Sequence, residues 1–281
     1  MTHFELELRT TDRKILRGQG WEPDDGTKAV VCLVHGLGEH SERYRHVAEA
    51  FNRAGYAVVA FDLRGHGRSP GRRGHAPNYA ALMSDIAAFL NEAGARYPDL
   101  PRFLYGHSLG ASLAIHYVLK HKPTLAGVIA SAPLFRLALK PPAWKTSLLN
   151  LLHALHVNLS IASGLEQEAL SRDFHEVRLY QNDPLVHDRI TPALAVAMLH
   201  EGEWNLKHAA NFPRPLLLMH GESDRITSVE ASVEFAARIE HRCTLKIWDG
   251  LYHELHNEPE KEQVFAYVLE WMNQSIRDAA R

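Results

Sequence analysis

The segment Arg102 to Lys120, RFLYGHSLGASLAIHYVLK, constrains the fold more than any other stretch of the chain. Phe103, Leu104 and Tyr105 form a short apolar run of the kind a buried strand makes. Gly106-His107-Ser108-Leu109-Gly110 then matches G-x-S-x-G, and Ala111, Leu113, Ala114, Ile115, Val118 and Leu119 suit a packed helix. Strand, sharp turn and helix is the context in which this motif presents a nucleophile. The turn predicts a strained backbone at Ser108, with Gly106 and Gly110 keeping Cβ atoms away where strand and helix crowd together. The Leu109 N–H then lies at a helix N-terminus, where it can help hold an anion. A glycine-serine turn without chemistry is the alternative reading.

The rest of the chain repeats this rhythm. Phe4–Arg9 and Ile15–Trp21 read as an antiparallel pair. Ala29–Val34 (AVVCLV) and Tyr56–Phe61 (YAVVAF) are continuous apolar runs, as parallel strands buried on both faces require. A helix from Ser41 or Glu42 through Ala54 separates them, stopped by Gly55, and Tyr79–Arg96 forms another. Leu125–Ala130, Pro215–Met219 and Thr244–Trp248 are further strands, with helices over Ser228–Ile239 and about Pro259–Ile276. Alternating strands and helices predict an α/β chain with a mostly parallel sheet covered on both faces. Its binding sites belong at the carboxyl ends of strands.

Between Leu134 and about Asn211 the rhythm breaks. This stretch holds Pro141-Pro142, an apolar run from Trp144 to Leu159, Asp183-Pro184 and a helix over Pro192–Glu201. It predicts a helical insertion, 134–211, above a core formed by 1–133 and 212–281. Leu148, Leu149, Leu152 and Leu155 are either core or the wall of a pocket.

Composition excludes several classes. The chain has 281 residues, 46% hydrophobic, enough for one large domain with an insertion. A net charge of -2 does not suggest a nucleic-acid partner. The start MTHFELELRT is unlike a signal peptide, and no apolar run reaches membrane-spanning length. With only Cys32 and Cys243, a soluble cytoplasmic protein is the expectation. The 19 histidines show neither H-E-x-x-H spacing nor a Cys/His cluster, so no metal is expected.

A serine hydroxyl needs a general base, and the base needs an orienting carboxylate. In this fold the order along the chain is Ser, acid, His. Asp224 follows the PLLLM strand and His253 follows the TLKIW strand, so Ser108, Asp224 and His253 are the candidate triad. Glu222 and Asp249 are rival acids, and His256 is the rival base. An oxyanion hole needs two backbone N–H groups; Leu109 supplies one, and Leu37, in the His35-Gly36-Leu37-Gly38 turn, supplies the other. His107 is read as lining the turn and His66 as packing its loop.

With these residues in place, the chain resembles the α/β-hydrolases of the monoacylglycerol lipase and lysophospholipase type. The most specific matches are His35 through Tyr44 (HGLGEHSERY), Asp62 through Ser69 (DLRGHGRS), GHSLG, His220 through Asp224, and the run Tyr252 through Pro259; Asp183-Pro184-Leu185 is similar to a segment in the family's cap. The resemblance implies a helical cap over an apolar acyl tunnel and an esterase acting on monoacylglycerols or similar single-chain lipid esters without a cofactor. It places Glu39 and Arg43 near the head-group end, where they pair, shape the loop or bind substrate. A lysophospholipase, short-chain esterase, thioesterase or peptidase would use the same triad, and a non-catalytic binding module is the remote alternative. Trp144 and the leucines near it raise peripheral membrane contact through the cap.

Overall fold

A computed structural model describes residues 1–155, 157, 159–239 and 242–279. Two positions of the apolar run after Trp144, 156 and 158, fall outside the described residues. The strands are β1 (Thr2–Arg9), β2 (Ile15–Glu22), β3 (Ala29–Val34), β4 (Tyr56–Phe61), β5 (Arg102–His107), β6 (Gly127–Ser131), β7 (Ile161–Ala162), β8 (Arg189–Ile190), β9 (Leu216–Gly221) and β10 (Cys243–Trp248). The helices are α1 (Arg45–Arg53), α2 (Tyr79–Arg96), α3 (Leu109–His121), α4 (Ala143–Ala154), α5 (Phe174–Asn182), α6 (Pro192–His208), α7 (Val229–Ala237) and α8 (Lys261–Ala279).

Eight strands form one sheet in the order β1-β2-β4-β3-β5-β6-β9-β10. β1 pairs antiparallel with β2, and β2 with β4; every other neighbouring pair is parallel. This is the α/β-hydrolase fold. The apolar runs β3, β4, β6 and β9 are buried along their whole length, as the sequence predicts for strands covered on both faces. Alternation divides each strand between two cores. Val30, Cys32 and Val34 face the core shared with α2, α3 and α6, whereas Ala29, Val31 and Leu33 face the core shared with α1 and α8. The chain leaves β3 for β4 on one side and then returns to β5 on the other. The crevice between β3 and β5 is therefore the topological switch point, where open α/β sheets bind ligands.

Three local expectations shift. Ser41–Tyr44 is a 3₁₀ turn and the α-helix starts at Arg45. α5 is an element the sequence reading lacked; the Asp173 side chain caps it by accepting the His175 N–H at 2.9 Å. α6 runs to His208, beyond Glu201.

Within 134–211, α6 packs on α3, where Asn205 reaches the Ser112 carbonyl at 3.1 Å and the His116 ring at 3.0 Å. α4 buries no residue fully. Leu149 and Leu152 are half-buried, but Leu148 and Leu155 are exposed at 47% and 65%. A core role for all four leucines therefore fails: α4 lies on the surface with one face toward a cavity.

Candidate active site

Ser108 joins β5 to α3 with φ 53° and ψ −117°, a left-handed conformation that costs a non-glycine residue about 1–3 kcal/mol. The surroundings hold it there. The Ser108 N–H donates to the Ser131 carbonyl at 2.9 Å, and its own carbonyl accepts the Ser112 and Leu134 N–H groups at 3.1 Å. A Cβ at Gly110 would fall on the Val34 carbonyl oxygen, and one at Gly106 on the backbone of Gly110 and Ala111, so only glycine fits either flank.

The loop after β3 crosses directly over this turn. A Cβ placed on Gly36 would sit 3.2 Å from the Ser108 Cβ and 2.9 Å from the Glu39 Oε1. The Leu37 N–H has no hydrogen-bond partner among the described residues. Leu109 is the first residue of α3, where helix N–H groups lack intrahelical acceptors. The loop is anchored on both sides. His35 accepts the Leu63 N–H through Nε2 at 2.9 Å, which leaves its Nδ1–H to donate to the Gly36 carbonyl at 2.7 Å. The Asp183 segment holds the far side: the His187 N–H donates to the Gly38 carbonyl at 2.8 Å, and His40 pairs with Asp183 at 2.9 Å.

The loops after β9 and β10 bring the expected acid and base together. His253 Nδ1 lies 2.7 Å from the Asp224 Oδ2 and donates to it. The other Asp224 oxygen accepts the Ile226 and Thr227 N–H groups at 2.7 and 3.0 Å. Oδ2 also accepts the Thr227 hydroxyl at 2.8 Å and the His220 Nε2–H at 3.0 Å. Burial works against the Asp224 charge, but the His253 and His220 rings outweigh it and hold the carboxyl well below its ordinary range. Burial likewise works against the His253 imidazolium, and the Asp224 carboxylate overcomes it, so His253 sits above the ordinary imidazole value.

The rivals lie elsewhere. Asp249 and Glu222 are exposed, and Glu222 accepts the Gly250 N–H at 3.0 Å on the surface turn. His256 is buried, stacked on Tyr44 at 4.7 Å and 4.9 Å from the His107 ring. His107 packs on His253 at 4.8 Å; burial, then the neighbouring His253, push it down to about 4. His66 is buried between His35 and His187.

Glu39 and Arg43 form a pair at 2.8 Å, but only Glu39 lines the cavity beside Ser108. Arg43 lies behind it, in a bidentate pair with Glu254 at 2.7 Å for both contacts. Glu39 also accepts the Gly36 N–H at 2.6 Å and the Tyr44 hydroxyl at 2.7 Å, so it shapes the turn that carries Leu37. Sequence reasoning missed the parts played by His220, Thr227 and Glu254. His220 and Glu254 lie inside segments that carry the resemblance, but spacing alone does not say what each side chain faces.

Ser108, Leu37, His253, Glu39 and Glu254 open into one cavity of about 670 Å³. Its remaining wall is largely aliphatic, with Leu134, Leu137, Leu148, Leu149, Leu152 and Met198 all from the segment 134–211. Among the described residues no group of three or more His, Cys, Asp or Glu is placed to hold a metal ion. The arrangement can activate a serine hydroxyl, hold an oxyanion and bury an apolar chain.

The model of the Hydrolase_4 family, described as serine aminopeptidase, S33, matches residues 25–260. A monoacylglycerol lipase of Mycolicibacterium smegmatis is 34% identical over 90% of each chain. An abhydrolase domain-containing protein of Dictyostelium discoideum is 40% identical over 99% of this chain, which spans 30% of that protein's length. The crystal structure of a Paleococcus ferrophilus monoacylglycerol lipase superposes with a TM-score of 0.82 at 34% identity, covering 98% of this chain and 100% of the other. Matched from Asp25 to Glu260 and built around the strand–serine–helix turn of Ser108, the chain belongs to the Hydrolase_4 family of α/β-hydrolases.

Proposed function

We propose that this protein hydrolyses carboxylic esters of single-chain lipids, foremost monoacylglycerols, through an acyl-enzyme on Ser108. The carrying observation is the cavity of about 670 Å³, which joins Ser108 and His253 to an aliphatic wall. Ser108 Oγ attacks the ester carbonyl while His253 Nε2 takes its proton, with Asp224 holding the ring. The Leu37 and Leu109 N–H groups hold the oxyanion. His253 then protonates the leaving glycerol and afterwards activates the water that frees the fatty acid. No cofactor enters this scheme.

In this reading residues 134–211 are the cap over the core of 1–133 and 212–281. The cap also rests on lipid surfaces. Trp144, Leu148 and Leu151 of α4 are exposed at 64%, 47% and 54%, beside Leu139 at 79%. No helix among the described residues is long and apolar enough to cross a membrane. Vesicle co-sedimentation should weaken in the Trp144→Ser, Leu148→Ser double variant; unchanged binding counts against surface contact.

Initial rates on monoacylglycerols of increasing chain length test the main reading, with lysophosphatidylcholine, p-nitrophenyl butyrate and leucine p-nitroanilide alongside and Ser108→Ala as the blank. Preference for medium or long monoacylglycerols supports it. Preference for the short ester keeps the triad and overturns the substrate, and turnover of the anilide selects a peptidase.

A further inference from the structure

Two ionisable acids, Glu39 and Glu254, face the reaction centre, and the proposed mechanism uses neither. Both are buried, at 2% exposure each, yet both line the cavity that holds Ser108. Glu39 Oε1 and the Ser108 Cβ lie within 3.2 Å of one point beside Gly36, and Glu254 adjoins His253 in the chain. Among the described residues the guanidinium that bonds both is Arg43, and the His107, His253 and His256 rings also lie near them. Counted formally, two carboxylates against one guanidinium leave an excess of one negative charge, in a setting that screens charge poorly. Burial works to raise the Glu254 carboxyl, but the Arg43 charge and hydrogen bonds overcome it and hold the group below its usual range. Among the described residues the other Lys, Arg, Asp and Glu side chains on the cavity wall are Lys145, Arg225 and Glu166. Arg225 is paired with Glu166 at 3.0 Å, and Lys145 stands exposed on α4.

Resting on the esterase reading above, we propose that the Glu39–Arg43–Glu254 cluster is a charge filter on the leaving alcohol. It admits esters of neutral or cationic alcohols and rejects those carrying a phosphate or carboxylate next to the scissile bond. A neutral polyol offers hydroxyl donors to carboxylate acceptors, whereas an anionic head group brings a like charge into a poorly screened site. Glu254 is thus a specificity-determining residue.

The test uses three soluble esters with one acyl chain: 1-octanoylglycerol, octanoylcholine and 1-octanoylglycerol 3-phosphate, each below its micelle concentration so that surface charge plays no part. For the unaltered enzyme, kcat/KM on the phosphate ester should fall on the order of tenfold or more below that on the neutral ester, with the choline ester at or above the neutral one. Glu254→Gln should shrink the neutral-to-anionic ratio severalfold. The ratio is read within one protein, so a general loss of activity in the variant cannot mimic the result. If Glu254→Gln does not fold, the order of the three esters on the unaltered enzyme still decides. Comparable turnover of all three, or an unchanged ratio in Glu254→Gln, overturns the filter and leaves the esterase reading standing. Turnover of none overturns the esterase reading, and the filter with it.

Discussion

Replacing Arg43 by Met tests the electrostatics behind the site. The guanidinium makes two hydrogen bonds to Glu254 and one to Glu39; both carboxyl side chains are buried, and the Arg43 side chain is only 9% exposed. Met fills much of the same volume but carries no charge. Glu39 keeps the Gly36 N–H and the Tyr44 hydroxyl; among the described residues Glu254 keeps only the Asn257 amide, at 2.6 Å. Removing one partner of a buried pair costs about 3–5 kcal/mol, because a charge stays buried without compensation. For a chain of this size that lowers Tm by about 5–10 °C. The sign of the pH dependence follows from Glu254. In the unaltered protein its folded-state pKa is depressed, so its contribution is present above the unfolded value of about 4.3 and is lost as pH falls through the folded value. Without Arg43, burial outweighs what remains to lower it, the Asn257 amide and the His256 and His107 rings, and the folded pKa rises above the unfolded one. The variant's deficit is then largest at high pH and shrinks as pH falls through that raised value. Calorimetry at pH 8 and pH 5 should therefore show a wide Tm gap narrowing toward acid, and Arg43→Met, Glu254→Gln should regain much of the loss at pH 8. A gap below about 2 °C, or one equal at both pH values, would mean that packing rather than charge governs the position.

Further predictions concern the proposed catalytic residues. Ser108→Ala should lower kcat by on the order of 10⁴ or more and abolish labelling by a fluorophosphonate; an unchanged rate refutes the nucleophile. Ser108→Gly, equally inactive, should melt above Ser108→Ala, because glycine relieves a strain of about 1–3 kcal/mol at φ 53°; equal Tm values would show that the turn stores none. The His253 pKa is raised, so kcat/KM should fall on acidification through a pKa above the ordinary value of about 6.5, as the base becomes protonated. Asp224→Asn should move that limb to lower pH, where burial dominates, and cut kcat by on the order of 10⁴; a profile that does not move would remove Asp224 from the scheme. Gly110→Ala should abolish soluble expression or lower Tm steeply, since its Cβ meets the Val34 and His35 carbonyls; a fold that tolerates it would contradict the tight strand–helix contact.

The sequence by itself determined the sheet and the turn at its centre, because both are local statements. An all-apolar run such as Ala29–Val34 belongs in a doubly covered strand whatever its neighbours. Gly106 and Gly110 mark the close approach that forces Ser108 into its conformation. The order Ser108, Asp224, His253 placed an acid and a base on neighbouring strand ends, and the structure sets them 2.7 Å apart. Tertiary structure alone decided which polar side chains meet across the chain. Arg43 pairs with Glu254 across 211 residues of chain, and His40 with Asp183 across 143. No periodicity encodes such pairings, since they depend on where two loops end after the sheet has folded. The same holds for α4, whose leucines would suit a core helix, a pocket wall or an exposed surface. Only its position, with one side on the cavity and the other in solvent, separates Leu149 and Leu152, half-buried on the cavity wall, from Leu151, exposed away from it, and leaves Leu148 on the wall yet 47% exposed.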